Sequence, residues 1–426
     1  MDTAMKPALS RFLCAPLLVI LLISCEPSRK TRNIVRSDLF SLGYGLSENQ
    51  IDLSSGGENG IDLTMREGIF HLLDGTGKKV LKLSSYGDLL ALLYDPSRSP
   101  EPRIVKPIED LENETANNVM DAPGRYAAPI KFEAPRKIAV DANQTIYVVD
   151  RVTDSLDRIF DAQTDSYCDR IVRRFGAQGS ELPYIGQEGP GGSPFPQILR
   201  VDALGNGTVA VVSASETVVL INNFGKTGNL LSSLRLNRSS LPVPGSLAES
   251  TRENKGVRIH ANLDGILEVA TADSFEITLK IDYYREYFDP ASLVISRDEF
   301  AGSWIFVLNG STGKAVNSVA IVPGNPDTAI PELIGEYSGL YYLLSDTALS
   351  ENGQGSQDGK DANGKGLNAA RMLQLVDMQG KVQQRFRLDI PADATEIMVL
   401  KVSDSGQIYA LLKADKAVHV AWWGYR

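Results

Sequence analysis

The sequence predicts an all-β fold: a single β-propeller of about six four-stranded blades, closed by an N-terminal strand in the last blade. Three observations predict it. A strand–turn–strand unit recurs six times; a second hairpin lies between several successive copies; and past the first two dozen residues no stretch of ten or more carries a helical apolar period.

The copies are "KVLKLSSYGDLLALLYD" (79–95), "RKIAVDANQTIYVVD" (136–150), "QILRVDALGNGTVAVVS" (197–213), "VRIHANLDGILEVAT" (257–271), "PELIGEYSGLYYLLS" (331–345) and "IMVLKVSDSGQIYALL" (397–412). With Gly87, Gln144, Asn206, Gly265, Gly339 and Gly406 as turn positions, the spacings are 57, 62, 59, 74 and 67 residues. The second hairpins include "TVVLINNFGKTGNLLSSLRL" (217–236), "WIFVLNGSTGKAVNSVAIV" (304–322) and "MLQLVDMQGKVQQRFRL" (372–388), each with Gly and Lys at its turn. Two hairpins per period make a four-stranded antiparallel sheet, the unit of a propeller blade.

After Leu412 only "KADKAVHVAWWGYR" remains, enough for a third strand but not a fourth. An N-terminal strand therefore completes the last blade, since an open sheet edge exposes unpaired backbone groups. The region "GIFHLLDGTGKKVLKL" (68–83) already has strand–turn–strand form, and Trp422 and Trp423 become packing residues at the seam. Two insertions interrupt the pattern, 101–129 and 345–371; the second is rich in Gly, Ser, Asn and Asp and has the composition of disorder.

The N-terminus reads as a leader. Lys6 and Arg11 precede the thirteen-residue apolar run "FLCAPLLVILLIS", too short to span a bilayer but fit for the core of a secretory signal. Leu22-Ile23-Ser24-Cys25 resembles a bacterial lipobox, with cleavage between Ser24 and Cys25 and lipid on Cys25. Each acyl methylene buried contributes roughly 0.8 kcal/mol, so several chains on one cysteine anchor durably. The expected division is a signal peptide over 1–24, a polar tether over 25–37 and a propeller domain over 38–426. The protein is then exported and lipid-anchored to the cell or outer membrane, on its periplasmic or surface side.

The 426 residues carry a formal net charge of −10, and cleavage leaves 41 basic against 52 acidic residues. An acidic surface without Lys/Arg runs argues against nucleic acid as a partner. Of the three cysteines, Cys14 leaves with the signal, Cys25 takes the lipid, and only Cys168 stays in the folded body, which therefore holds no disulfide and no cysteine metal site.

Candidate chemistry is sparse. "YIGQEGPGGSPFP" (184–196) packs four glycines and three prolines into thirteen residues, but a strand pattern follows it where a phosphate cradle needs a helix. It reads as a connection between blades, and Tyr184, Gln187, Glu188 and Phe195 give it the side chains of a candidate binding loop. Asp361-Ala-Asn363-Gly-Lys365-Gly366 faintly resembles a calcium loop but lacks ligands at Lys365 and Met372. His71, His260 and His419 are far apart, and no G-x-S-x-G elbow nominates a catalytic serine. Asp95, Asp141, Asp150, Asp202, Asp264, Asp346 and Asp404 recur at strand ends, where turn capping is the first reading and a ring of channel ligands the second. No metal, cofactor or catalytic residue is assigned.

"APRKIAVDANQTIYVVDR" (134–151) resembles an NHL-type propeller repeat. Together "SSYGDLLALLYDP" (84–96), "GQEGPGGSPFP" (186–196) and "VAWWGYR" (420–426) resemble a family of uncharacterised spirochaetal lipoproteins. That resemblance implies an exported, lipid-anchored propeller and no reaction. The expected function is a monomeric binding or scaffold module facing a protein partner in the envelope. A hydrolase or lyase acting at the axial channel is the alternative.

Overall fold

The computed structural model describes residues 31–54, 60–105, 125–153, 158–162, 166–252, 256–270, 274–323, 330–346, 370–389 and 394–424. Ser24 and Cys25, the whole signal segment, the Asp361–Gly366 loop and most of both insertions lie outside the described residues.

The chain begins with β1 (Arg32–Tyr44) and the short β2 (Gln50–Ile51). The first sheet follows as β3 (Ile61–Arg66), β4 (Ile69–Asp74), β5 (Lys79–Leu83) and β6 (Leu89–Tyr94), with β7 (Tyr126–Pro129) added parallel to β6. Two residues, Glu67 and Gly68, join β3 to β4, and both have positive φ (52° and 77°). That is the type I′ geometry whose twist matches the flanking strands. Ser338 and Gly339 (54° and 75°) repeat the device in the fifth sheet.

The second sheet is built from β8 (Lys137–Val140), β9 (Ile146–Arg151), β12 (Arg170–Phe175), β13 (Glu181–Gly186) and β14 (Gly189–Pro190), while β10 (Ile159–Asp161) and β11 (Ser166–Cys168) form a separate hairpin. The third is β15 (Gln197–Ala203), β16 (Val209–Ala214), β17 (Val218–Phe224) and β18 (Leu230–Asn237). A short helix, α1 (Gly245–Arg252), leads to the fourth, β19 (Val257–Ala270), β20 (Phe275–Phe288), β21 (Ile295–Asn309) and β22 (Ala315–Pro323). The fifth is β23 (Glu332–Tyr337), β24 (Leu340–Asp346), β25 (Ala370–Asp377) and β26 (Val382–Asp389). The sixth group is β27 (Ala394–Val402), β28 (Ile408–Ala414), β29 (Ala417–Gly424) and, antiparallel to β29, β1. The fold is thus almost entirely β and propeller-like, a succession of four-stranded meanders.

The N-terminal strand that completes the last meander is β1, in register from Val35 opposite Gly424 to Gly43 opposite Ala417, and not the 68–83 region, which supplies β4 and β5. Among the described residues the first strand starts at Arg32, six residues before Asp38. Arg32–Ile34 also lies parallel to Phe386–Leu388 of β26, so this strand binds two sheets at once. Trp423 is buried at that junction and Trp422 packs beside it.

Within 257–271, Val257–Ala270 is one long strand, not a hairpin. Asp264 and Gly265, which imitate a turn pair, sit instead at a β-bulge in the pairing of β19 with β20. The Asp264 carboxylate accepts from Lys280 Nζ at 2.6 Å, and a side chain at Gly265 would meet Leu333 Cβ at 3.3 Å. The chain reverses only after Ala270. Likewise 79–95 supplies the third and fourth strands of its sheet, not the first two.

One apolar cluster fills each space between consecutive sheets. Leu93 meets Val148 between the first and second; Val149 meets Val211 between the second and third. Ile221 meets Leu279, Val307 meets Leu343, and Leu344 meets Leu412 in the next three. A sixth cluster, with Leu72, Leu411 and Val420, joins the last sheet to the first. Fully burying one such aliphatic side chain contributes about 1.5–3 kcal/mol, so these dry interfaces dominate cohesion.

Candidate functional site

The first strands of neighbouring sheets stand side by side: β3 against β8, β8 against β15, β19 against β23, β23 against β27, and β27 against β3. Arg200 on β15 reaches Glu268 on β19 at 3.4 Å and completes the series. Their convergence encloses a cavity of about 510 Å³, to which all six first strands contribute.

Its wall is polar because one position in several first strands carries a charge between two aliphatic neighbours: Ile61-Asp62-Leu63, Leu199-Arg200-Val201, Leu267-Glu268-Val269 and Leu400-Lys401-Val402. Neighbouring side chains alternate along a strand, and Asp62, Arg200, Glu268 and Lys401 all reach the cavity wall.

Most of these charges are satisfied. The Asp62 carboxylate accepts from Lys401 Nζ at 2.7 Å, from the Leu63 N–H at 2.9 Å and from the Ile138 N–H at 3.0 Å, tying the first, second and sixth sheets together. Burial works against the Lys401 ammonium, but Asp62 outweighs it and holds its pKa above the ordinary lysine range. Arg66 lies 3.4 Å from Asp404. Arg200 Nε donates to Asp202.

Glu268 differs. Its side chain is 0% exposed, and neither carboxyl oxygen accepts a hydrogen bond from the described residues. Burial, the Asp202 charge and a carboxyl–carboxyl contact with Asp202 raise its pKa well above the usual carboxylate value, against the pull of Arg200. Glu336, on β23 in the same wall, is raised as well, mainly by burial.

The 184–196 loop is mostly self-contained. Phe195 is fully buried between the second and third sheets, edge-on to Phe224 at 6.1 Å, and is a core residue. Gln187 Nε2 donates to the Pro194 carbonyl at 2.6 Å, and Glu188 accepts from the Ser193 N–H at 2.6 Å, so both shape the loop. Of the four candidates Tyr184 lines a surface depression of about 670 Å³, together with Gly191, Ser193, Arg151 and Arg173.

The recurrent aspartates divide between both readings. Asp95, Asp141 and Asp150 cap turns and loops through backbone N–H groups, Asp264 pairs with Lys280, and Asp202 and Asp404 face the cavity; the Asp346 side chain is not described. His71 is buried in the first sheet, while His260 and His419 lie in β19 and β29. Cys168 is a buried thiol, its pKa pushed up to about 11 by burial. No group of three His, Cys, Asp or Glu among the described residues could hold a metal ion, and no described helix is long and apolar enough to cross a membrane. A second exposed feature is the β20–β21 tip, where Leu293, Val294 and Ile295 are 71%, 63% and 47% exposed.

No family model matches the chain, and no curated protein does. Solved structures similar to it include a member of the DUF4221 family from Bacteroides vulgatus, 8% identical, covering 93% of this chain and 99% of that one at a TM-score of 0.38. A catalytically inactive virginiamycin B lyase from Staphylococcus aureus with quinupristin is 9% identical, with 92% and 99% covered and a TM-score of 0.37. Apo AztD from Citrobacter koseri is 9% identical, with 77% and 74% covered and a TM-score of 0.30.

Proposed function

We propose that the chain forms a closed six-bladed β-propeller, exported and anchored through lipid on Cys25, which serves as a binding module of the cell envelope and holds a small polar ligand in its axial cavity. The single observation that carries this reading is the cavity, walled by all six first strands and lined by charged side chains at matching strand positions. The run of six inter-sheet clusters, the last returning to the first sheet, supports closure. Two or more acyl chains are the usual requirement for stable attachment, which the Ser24-Cys25 signal supports. The exposed Leu293–Ile295 tip supports contact with an envelope protein, because contiguous exposed apolar groups mark interaction surfaces.

The Asp202–Glu268 pair favours one second reading, a hydrolase or lyase working at the axis, since a carboxyl whose pKa is raised by burial beside a second carboxyl is the arrangement acid–base chemistry uses. The test is spectroscopic. Backbone amide spectra of the lipid-free protein are recorded against a panel of sugars, amines, carboxylates and peptides. Shifts centred on Glu268 and Lys401 support the axial site; shifts confined to Tyr184 and its neighbours, or none, overturn it, and turnover of a panel member favours the enzyme. Detergent partitioning of the full-length protein and its Cys25→Ser variant tests the anchor, which fails if both enter the aqueous phase.

A further inference from the structure

We propose that the axial cavity takes a ligand bearing a primary ammonium or guanidinium group, which docks against Glu268 and Asp202. This rests on the reading of the cavity as a ligand site and adds the chemistry of what enters it.

The argument starts from an imbalance. Six carboxyl groups line the cavity, Asp62, Asp202, Glu268, Glu332, Glu336 and Asp404, against four cationic side chains, Arg66, Lys137, Arg200 and Lys401. Three carboxylates already have a cationic partner: Asp62 with Lys401, Asp202 with Arg200 and Asp404 with Arg66. Glu268 shares Arg200 only at 3.4 Å and receives no hydrogen bond, although buried carboxyl oxygens are almost always hydrogen-bonded. Two acceptor oxygens that receive no hydrogen bond from the described residues, in a wall with more carboxyls than cations, define what is missing: N–H groups carrying positive charge. A bare metal ion fits poorly, because the described residues gather no group of three suitable side-chain ligands. An ammonium or guanidinium needs only directional acceptors, and the cavity has room for a body of drug-like size behind it.

The wall as a whole is acidic, six carboxyls against four cations, with Lys137 of β8 and Arg66 of β3 among the latter. β15 presents Arg200 and Asp202, which neutralise each other; β3 presents Asp62, held by Lys401 from β27; β23 presents Glu332 and Glu336; and β20 opposes Glu268 with the apolar Ile277. With no ligand, burial and Asp202 favour the protonated form of Glu268. Docking of R–NH₃⁺ breaks the Glu268 O–H bond, the proton leaves to water, and the carboxylate so formed accepts hydrogen bonds from the ammonium. One cation enters and one proton departs, so the net charge of the site is unchanged. Affinity then rises with pH, by about tenfold per unit over the range in which free Glu268 is protonated.

Titration calorimetry with agmatine on the lipid-free protein, in phosphate and in Tris at one pH, tests this. The buffer dependence of the heat counts protons. Wild type is expected to release about one proton per agmatine bound. Glu268→Gln, which keeps the shape, should bind at least tenfold more weakly and release none; Asp202→Asn provides a second variant should the first fail to fold. Agmatine binding without proton release, or equal binding by Glu268→Gln, overturns the proposal. If agmatine fails while sucrose or citrate binds at the cavity, the ammonium assignment falls and the cavity reading survives. If none of the three binds, both fall.

Discussion

His71 makes the stability of this protein depend on pH in a calculable way. The imidazole is fully buried in β4, opposite Thr64 on β3 and Lys82 on β5, and neither ring nitrogen finds a hydrogen-bond partner among the described residues. Burial, helped by the Lys82 charge, depresses its pKa to about 3 from an ordinary 6.5. The native ring stays neutral while the unfolded ring takes a proton below pH 6.5, so its contribution is fully present above 6.5 and is lost as pH falls toward 3. One unit below 6.5 the loss is about 1.4 kcal/mol, and two units below it is about 2.7 kcal/mol. His71→Leu removes the titration and two unpaired polar atoms whose desolvation costs about 1–3 kcal/mol. The variant should therefore equal or exceed wild type at pH 7.5, and the gap should widen by about 1.4 kcal/mol at pH 5.5. Urea unfolding at both pH values, compared between the two proteins, measures it. A gap independent of pH, or a His71 resonance titrating near 6.5 in the folded protein, refutes the reasoning.

Three further outcomes are expected. Lys280→Met removes the cationic partner of Asp282, which is 3% exposed, bonded by Lys280 Nζ at 2.8 Å and left with the Ser303 hydroxyl; the loss should be about 3–5 kcal/mol and should shrink when Asp282→Asn is added, read by urea unfolding. Removing residues 31–44 bares the β29 edge beside buried Val418, Val420 and Trp423, so the shortened protein should aggregate in light scattering and recover when a peptide of residues 31–44 is supplied. Phe195→Ala should cost about 3–5 kcal/mol whereas Tyr184→Ala should change stability by about 0.5 kcal/mol or less, and equal costs would contradict their burial.

Local turn chemistry made most strands readable. "DANQT", "ALGNGT" and "SDSGQ" reverse the chain where Asn, Gly and Asp stand between apolar runs, and hydrogen bonds close each turn, as from the Gly207 N–H to the Leu204 carbonyl. The same chemistry misled at Asp264-Gly265, because a turn and a bulge next to a close-packed neighbour draw on the same residue types. Phe195 looked like loop character since its burial depends on Phe224, which is distant in sequence. The site was less legible. Asp202 and Asp404 were visible as recurrent strand-end acids, but Asp62, Arg200, Glu268 and Lys401 meet only after six sheets have come together. One signal was present: a charge flanked by aliphatics in four of the first strands, each of which lines the cavity.

The strand that begins at Arg32 has a mechanical consequence. A pull arriving at the N-terminal end acts along β1, whose bonds to β29 between Val35 and Gly43 run across that direction. They share the load together and cannot peel one by one, while Arg32–Ile34 spreads part of it to β26. Tension thus meets a shear clamp where β1 enters the fold.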